Sequence, residues 1–273
     1  MEKKRVLIIG ATGMLGHMVY RYLETLNKYE LFNSVYRKPL NEKSFICNVK
    51  DQGAVENLFQ SAKPDIVINC VGALVQESTE NPSSAIYLNA LFPNILKDFC
   101  NKYNAKLIHV STDCVFSGKK GNYEEEDFRD ADDVYGRSKA LGEITEYPHC
   151  TLRTSIIGPE LKDGTGLYNW FMKQKGEVKG YTNAYWGGVT TYELAKAIDK
   201  AISNDLKGLY HVTNGEKISK YELLKLFNEL RNEKAIIVPY ESYVVDKSLK
   251  KSKRFNFEIS DYRTMILNHL LIK

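Results

Sequence analysis

A chain of 273 residues, 43% hydrophobic and 26% charged, is long enough for a large core and too apolar for a disordered polymer. Its 38 basic and 34 acidic residues leave a net charge of +4 spread along the length, with one basic cluster, "KSLKKSKR" at 247–254, too isolated to make nucleic acid an expected partner. No apolar run approaches a membrane span or a signal peptide, and five cysteines without a C-x-x-C pair read as reduced thiols, so a cytoplasmic protein with no membrane partner is expected.

Through residue 155, short apolar runs alternate with longer amphipathic stretches. "RVLIIG" (5–10) reads as a strand, "MLGHMVYRYLETL" (14–26) as a helix, and "LFNSVYR" (31–37) and "KSFICNV" (43–49) as two further strands. They are followed by a helix at 54–62, a strand at 64–72, one long helix at 82–103, a strand at 105–113, a helix at 132–143 and a strand at 150–155. Beyond Ser155, Gly-rich turns separate a helix at 191–202, a strand at 208–212 and a helix at 219–230.

Strands apolar at consecutive positions are buried on both faces, which requires helices on each side of a parallel sheet. The expected fold is α/β, a Rossmann-type doubly wound parallel sheet with a smaller C-terminal substrate-binding lobe. Residues 1–155 plus about 187–212 are assigned to the sheet domain, and about 156–186 plus 213–273 to the lobe.

"IIGATGMLG" places Gly10, Gly13 and Gly16 at the turn from the first strand into the first helix, with Thr12, Met14 and Leu15 between them. Glycines there permit a tight turn and the approach of a pyrophosphate to free backbone N–H groups at a helix end, although the spacing is G-x-x-G-x-x-G instead of G-x-G-x-x-G. Where the second strand ends, an acidic residue would bind a ribose hydroxyl; here "VYRKP" offers Arg37 and Lys38, which suit the 2′-phosphate of NADP. NADPH is therefore the expected cofactor, with NADH as the alternative. Topology further assigns Asn48 and Val49 to the adenine, and Cys70, Val71 and Gly72 to the pyrophosphate and nicotinamide ribose.

Four Tyr-x3-Lys pairs occur, at Tyr135/Lys139, Tyr192/Lys196, Tyr221/Lys225 and Tyr243/Lys247, against about two expected by chance, so spacing alone selects none. Position does: the fifth strand ends in "HVSTD", and the helix bearing Tyr135 and Lys139 leads directly into the sixth, beside the same carboxyl edge of the sheet. Thr112 is the third member, and Ser111 ranks below it because alternation turns it to the opposite sheet face.

"GATGMLG", "STD" and "YGRSK" in this order resemble an extended short-chain dehydrogenase/reductase. More narrowly, "STDCVFSGKKGNYEEED", "YGRSKALGE", "LRTSIIG" and "GLYHVTNGEKISKYELL" resemble the dTDP-4-dehydrorhamnose reductase family, over nearly the whole chain. The resemblance implies catalytic Thr112, Tyr135 and Lys139 and a nucleotide-linked 4-keto-6-deoxyhexose as substrate. Tyr135 would give the carbonyl oxygen its proton, Lys139 would lower the phenol's pKa and bind the nicotinamide ribose, and Thr112 would orient the substrate oxygen.

Family members that dehydrate the sugar resemble "STDEVYG"; Cys114 stands where they have Glu, and a thiol replaces a carboxylate poorly in that elimination. Asp113, Cys114, Arg153, Trp186, Lys253 and Arg254 are the expected substrate-binding residues, set against lobe packing for Trp186, a structural ion pair for Arg153 and a solvated face for the cluster. Some relatives dimerise through magnesium held by carboxylates, but "GMLG" has none, so no metal is expected; a homodimer stays open. Two alternatives share the fold: an epimerase with tightly bound NAD(P), and a non-catalytic regulatory subunit like that of methionine adenosyltransferase.

Overall fold

The computed structural model describes residues 2–161, 164 and 166–270, so Met1, residues 162, 163 and 165, and residues 271–273 of the ranges assigned above lie outside the described residues. In chain order, β1 (Lys4–Ile9), α1 (Gly16–Leu26), β2 (Tyr29–Val35), β3 (Ser44–Ile46), α2 (Gln52–Ala62) and β4 (Ile66–Asn69) come first. Next are α3 (Val75–Glu80), α4 (Pro82–Ile86), a π-helical turn (Tyr87–Leu91), α5 (Phe92–Lys102), β5 (Lys106–Thr112), a 3-10 turn (Asp113–Val115), α6 (Val134–Leu141) and β6 (Cys150–Thr154).

The remaining chain forms β7 (Ile156–Ile157), α7 (Leu167–Met172), β8 (Glu177–Tyr181), β9 (Ala184–Trp186), β10 (Val189–Thr190), α8 (Thr191–Ser203) and β11 (Gly208–His211). It ends with β12 (Ile218–Ser219), α9 (Lys220–Glu229), β13 (Ile236–Tyr240), β14 (Val245–Asp246) and α10 (Tyr262–Leu270).

Seven parallel strands form the central sheet in the order β11-β6-β5-β4-β1-β2-β3. This is the expected α/β architecture, and the order reverses between β1 and β4, the crevice where such sheets bind ligands. Alternation along the strands splits the core into two layers. Val6, Ile8, Ile66, Ile68 and Ile108 join α1 and α8 on one face, while Leu7, Ile9, Val67 and Leu107 join α2 and α5 on the other. Outside the central sheet lie the pair β10-β7, the set β12-β9-β14 and the pair β13-β8.

Most boundaries depart from expectation by one or two residues, for local reasons. Helix α2 starts at Gln52 instead of 54 because the Asp51 carboxylate caps it, accepting from Ala54 N–H at 3.1 Å. The larger difference is the helix expected over 82–103, which is interrupted by the π-helical turn at Tyr87–Leu91. Such a bulge commonly marks a functional position, and this one carries Asn89.

Candidate active site

After β1 the chain turns at Gly10, whose φ of +83° is open to glycine; a Cβ there would stand 2.8 Å from Val71 Cγ2 and 3.2 Å from the Cys70 carbonyl carbon. Gly13 N–H closes the turn on Gly10 O at 3.0 Å, and a Cβ on Gly16 would overlap that same oxygen. The three glycines thus let the turn, the start of α1 and the loop after β4 occupy one crowded corner. Thr12, Gly13 and Met14 are half-buried there, and Leu15 is buried. No side chain caps α1 at Leu15 and its first turn holds no acid, so its positive end and N–H groups suit an anion.

Arg37 and Lys38 are exposed just beyond β2, and among the described residues neither pairs with a carboxylate; Arg37 lies over the Tyr36 ring at 4.8 Å. Asn48 is exposed, its Oδ1 accepting from Lys50 N–H at 3.1 Å, and half-buried Val49 receives the Tyr87 hydroxyl on its carbonyl at 3.2 Å. Cys70 N–H bonds Ile9 O at 3.0 Å, and burial pushes its thiol up to about 12. Together with exposed Gly72, these residues fit a dinucleotide along the carboxyl edge of β1, β2 and β4: a Cβ-free cradle, an uncapped helix end and two unpaired cations.

Across the crevice, β5 delivers Thr112 and the 3-10 turn delivers Asp113 and Cys114. The Thr112 hydroxyl donates to Asp113 Oδ1 at 3.0 Å and accepts from Cys114 N–H at 3.1 Å. Helix α6, capped by Asp133 Oδ1 on Gly136 N–H at 2.8 Å, carries Tyr135 against Thr112 and Lys139 against the loop after β4. Lys139 Nζ donates to Val110 O at 2.8 Å and would lie 4.0 Å from a Cβ on Gly72. Ser111 points the other way, its hydroxyl on Glu143 Oε1 at 2.7 Å.

The electrostatics correct one expectation. Burial pushes the Tyr135 phenol well above its usual range, Cys114, Asp113 and Asp133 add to the rise, and Thr112 opposes it. Lys139 is not among the largest influences on it; its ammonium is itself brought down to about 8, first by burial and against the pull of Glu143 and Cys70. Without a bound cofactor, desolvation outweighs the cation one helical turn away.

The other Tyr-x3-Lys pairs lie elsewhere. Lys196 and Lys225 fold back over Tyr192 and Tyr221, at 5.4 Å and 5.2 Å from the ring centres, and each pairs with an acid in its own helix. The fourth is different: Tyr243 packs edge-on to Tyr181, and the Lys247 ammonium is favoured, against its burial, by the field of Cys114, Asp113 and Asp133.

Sequence reasoning missed Asn89. It is fully buried, its Oδ1 accepts from Ala73 N–H at 2.9 Å, and its Nδ2 donates to Ala73 O at 3.1 Å and Ser138 Oγ at 3.2 Å, joining the loop after β4 to α6. A Cβ on Gly142 would overlap the Asn89 carbonyl oxygen, and one on Gly136 would overlap that of Cys114. The signal in the sequence was a carboxamide on the apolar stripe of "YLNALF", where a buried polar group demands partners.

Four expected substrate contacts are corrected. Arg153 is 1% exposed, with Nε and Nη2 on the two Glu143 oxygens and Nη1 on His211 Nε2, each at 2.8 Å, so it is a structural ion pair. Trp186 is buried against Tyr262, ring centres 5.6 Å apart, as core. Arg254 is drawn to Glu125 at 2.8 Å and over the Tyr210 ring at 5.3 Å, on the outer edge of β11; Lys253 is exposed beside it. Asp113 and Cys114 stay beside Tyr135. Burial pushes the Asp113 carboxyl up, and burial followed by Asp113 pushes the Cys114 thiol up to about 12, leaving it an uncharged donor.

The arrangement can therefore present a protonated phenol and a buried ammonium beside a dinucleotide cradle. Over 227 residues the chain is 30% identical to the spore coat polysaccharide biosynthesis protein SpsK of Bacillus subtilis (strain 168), covering 80% of this chain and 76% of that one. It is 26% identical to methionine adenosyltransferase 2 subunit beta of Bos taurus, covering 81% and 70% respectively. Its fold matches a crystal structure of dTDP-4-dehydrorhamnose reductase from Bacillus anthracis str. Ames in complex with NADP, with a TM-score of 0.86, 22% identity and full coverage of both chains. The family model described as RmlD substrate binding domain matches residues 4–270, and the chain belongs to that family, an extended short-chain dehydrogenase/reductase type.

Proposed function

We propose that this chain is an NADPH-dependent reductase acting on the C4 ketone of a nucleotide-linked 4-keto-6-deoxyhexose, in the synthesis of cell-surface polysaccharide precursors. One observation carries the reading: Thr112, Tyr135 and Lys139 converge at the carboxyl edge of β5, facing the glycine turn across the switch point of the sheet. Family membership supports a sugar-nucleotide oxidoreductase at the coarser level, and the NADP-bound neighbour together with Arg37 and Lys38 supports the choice of NADPH.

When bound, NADPH supplies the hydride. The phenol of Tyr135, held protonated by burial, is the group that would give its proton to the carbonyl oxygen of the ketone. Lys139, over Gly72, is the residue that would bind the nicotinamide ribose, and Asp113 and Cys114 line the sugar side. We assign residues 1–155 plus about 187–212 to the sheet domain, and the described residues of 156–186 and 213–270 to the lobe that would hold the substrate.

The test is NADPH oxidation with a panel of dTDP-, UDP- and GDP-linked 4-keto-6-deoxy sugars, with and without a 2-acetamido group. Consumption that depends on one of them, and that Tyr135→Phe abolishes while NADPH still binds, is the expected result; turnover surviving in that variant removes Tyr135 as the donor. The identity to methionine adenosyltransferase 2 subunit beta favours a second reading, a regulatory subunit. Co-purification with a synthetase, with no NADPH consumption across the panel, would replace the reductase reading. Protein that keeps stoichiometric NAD and consumes no NADPH would point to an epimerase.

A further inference from the structure

Ser111, Arg153 and His211 stand in one row across three parallel strands, because β6 sets Arg153 beside Ser111 of β5 on one flank and beside His211 of β11 on the other. Side chains in such a row share a face of the sheet. Glu143 joins the first two, accepting from Ser111 Oγ at 2.7 Å and from Arg153 Nε and Nη2 at 2.8 Å each. His211 completes the row: its Nε2 lies 2.8 Å from Arg153 Nη1, and its Nδ1 lies 3.1 Å from the Lys250 carbonyl oxygen. A guanidinium only donates and a carbonyl oxygen only accepts. The ring must therefore be neutral, with a lone pair at Nε2 and its proton at Nδ1, donated to Lys250 O. Burial, followed by the Arg153 charge, lowers the His211 pKa to about 4 against the pull of Glu125 and Glu143, so the neutral ring prevails at neutral pH.

Lys250 belongs to a strap that leaves the lobe at β14, where Val245 and Asp246 pair with Ala184 and Tyr185 of β9. The strap crosses the loop that follows the 3-10 turn: Asp246 N–H donates to Gly118 O at 2.9 Å, Tyr123 N–H to Ser248 O at 2.9 Å, and Lys250 N–H to Tyr123 O at 2.8 Å. The Tyr123 ring stacks on Phe116 at 4.1 Å, and Phe116 N–H closes the 3-10 turn on Asp113 O at 3.0 Å. Phe116 in turn has its ring centre 5.0 Å from Arg153 Cζ and stands edge-on to His211, centres 6.4 Å apart. The turn bearing Asp113 and Cys114 is thus flanked by Ser111 and Phe116, and both rest on the row. Two ion pairs also hold the strap, Lys250 with Glu124 at 2.6 Å and Arg254 with Glu125 at 2.8 Å, but both cations are exposed and such pairs contribute little. The bond from His211 Nδ1 is the buried fastening.

We propose that His211 is a positioning residue: as the Nδ1–H tautomer it fastens the strap to Arg153 and so sets the lobe against the turn that bears Asp113 and Cys114. Its consequence for substrate affinity rests on the reductase reading; the tautomer and the fastening do not. An imidazole suits the place because one ring can accept from an obligate donor and donate to an obligate acceptor. Glutamine offers the same pair of functions through its oxygen and its N–H groups, and leucine offers neither.

The experiment begins with nitrogen NMR of protein carrying isotope-labelled histidine at neutral pH, the His211 signals being assigned by their loss in His211→Gln. A protonated Nδ1 and an unprotonated Nε2 are expected; a protonated Nε2 overturns the proposal. Amide hydrogen exchange then reads the strap. In His211→Leu, exchange at Tyr123, Asp246 and Lys250 is expected to quicken by about tenfold or more, while His211→Gln keeps wild-type protection. Protection unchanged in the leucine variant, or lost equally in the glutamine variant, overturns the proposal. In the reductase assay, His211→Leu is expected to raise KM for the nucleotide sugar by about tenfold with kcat nearly unchanged, and His211→Gln to restore it. Failure of every ketosugar in the panel would overturn the reductase reading and leave the tautomer and exchange results standing.

Discussion

Glu143 grips Arg153 with both carboxylate oxygens, 2.8 Å from Nε and 2.8 Å from Nη2, and neither side chain reaches solvent. Ser111 and Arg129 add hydrogen bonds to the same carboxylate at 2.7 Å and 3.0 Å, which keeps it well ionised despite burial. Removing one partner strands the other charge, at a cost of about 3–5 kcal/mol. Arg153→Met and Glu143→Gln are expected to lower the unfolding free energy by that amount, read as a lower urea midpoint with no change of slope. An Arg153 variant of wild-type stability that lost only affinity for a nucleotide sugar would restore this residue to the substrate site.

Lys139 bears a stability cost that function explains. Its pKa is about 8 in the folded protein against an ordinary 10.5, so below pH 8 its charge costs on the order of 3 kcal/mol. Between about 8 and 10.5 the unfolded chain binds the extra proton, and wild-type stability rises with pH through that window. Lys139→Met is therefore expected to melt at a higher temperature than wild type at pH 7 in the absence of cofactor, while losing turnover. That advantage should shrink as the pH approaches 10; a variant less stable than wild type at neutral pH contradicts the assignment.

Asn89 should matter for catalysis without touching the reacting atoms. Asn89→Ala leaves the buried N–H and C=O of Ala73 without partners, at about 1–3 kcal/mol for each group. It also frees α6 from the loop after β4, and small displacements of positioned groups are costly, so kcat is expected to fall by about tenfold or more. Hydrogen exchange at residues 134–141 is expected to quicken in parallel. Unaltered exchange with reduced kcat would place Asn89 in a different role.

Cofactor choice should reside in Arg37 and Lys38. Replacing both with serine is expected to weaken NADPH binding by about tenfold or more while NADH binding holds, because a 2′-phosphate would lose two charge-assisted partners. Fluorescence titration with each nucleotide separates the outcomes, and an equal loss for both would show that these cations do not read the phosphate.

The sheet was legible because strand runs such as "VLII" (6–9) and "IVI" (66–68) are apolar at every position, a pattern suited to burial on both faces. Thr112, Tyr135 and Lys139 were legible through their order along that sheet. The docking of residues 246–250 was not: Asp246 and Lys250 donate backbone hydrogen bonds to Gly118 and Tyr123, and no local pattern reports so distant a contact. The interruption at Asn89 was hidden by the amphipathic stripe, which continues smoothly across the extra residue in the turn. Arg153 misled because an arginine at a strand end beside a ligand edge reads alike whether it faces a phosphate or a buried glutamate.

The seventh strand of the central sheet has a consequence for biosynthesis. β6 is complete at Thr154, but its neighbour β11 does not exist until His211 has left the ribosome. During that interval of more than fifty residues the nascent sheet ends in an uncovered edge, a template for pairing with another chain. Arg153 meanwhile lacks the imidazole that completes its surroundings. Shortening the chain anywhere before residue 211 would make that interval permanent, so truncated products are expected to aggregate instead of surviving as a free dinucleotide-binding half.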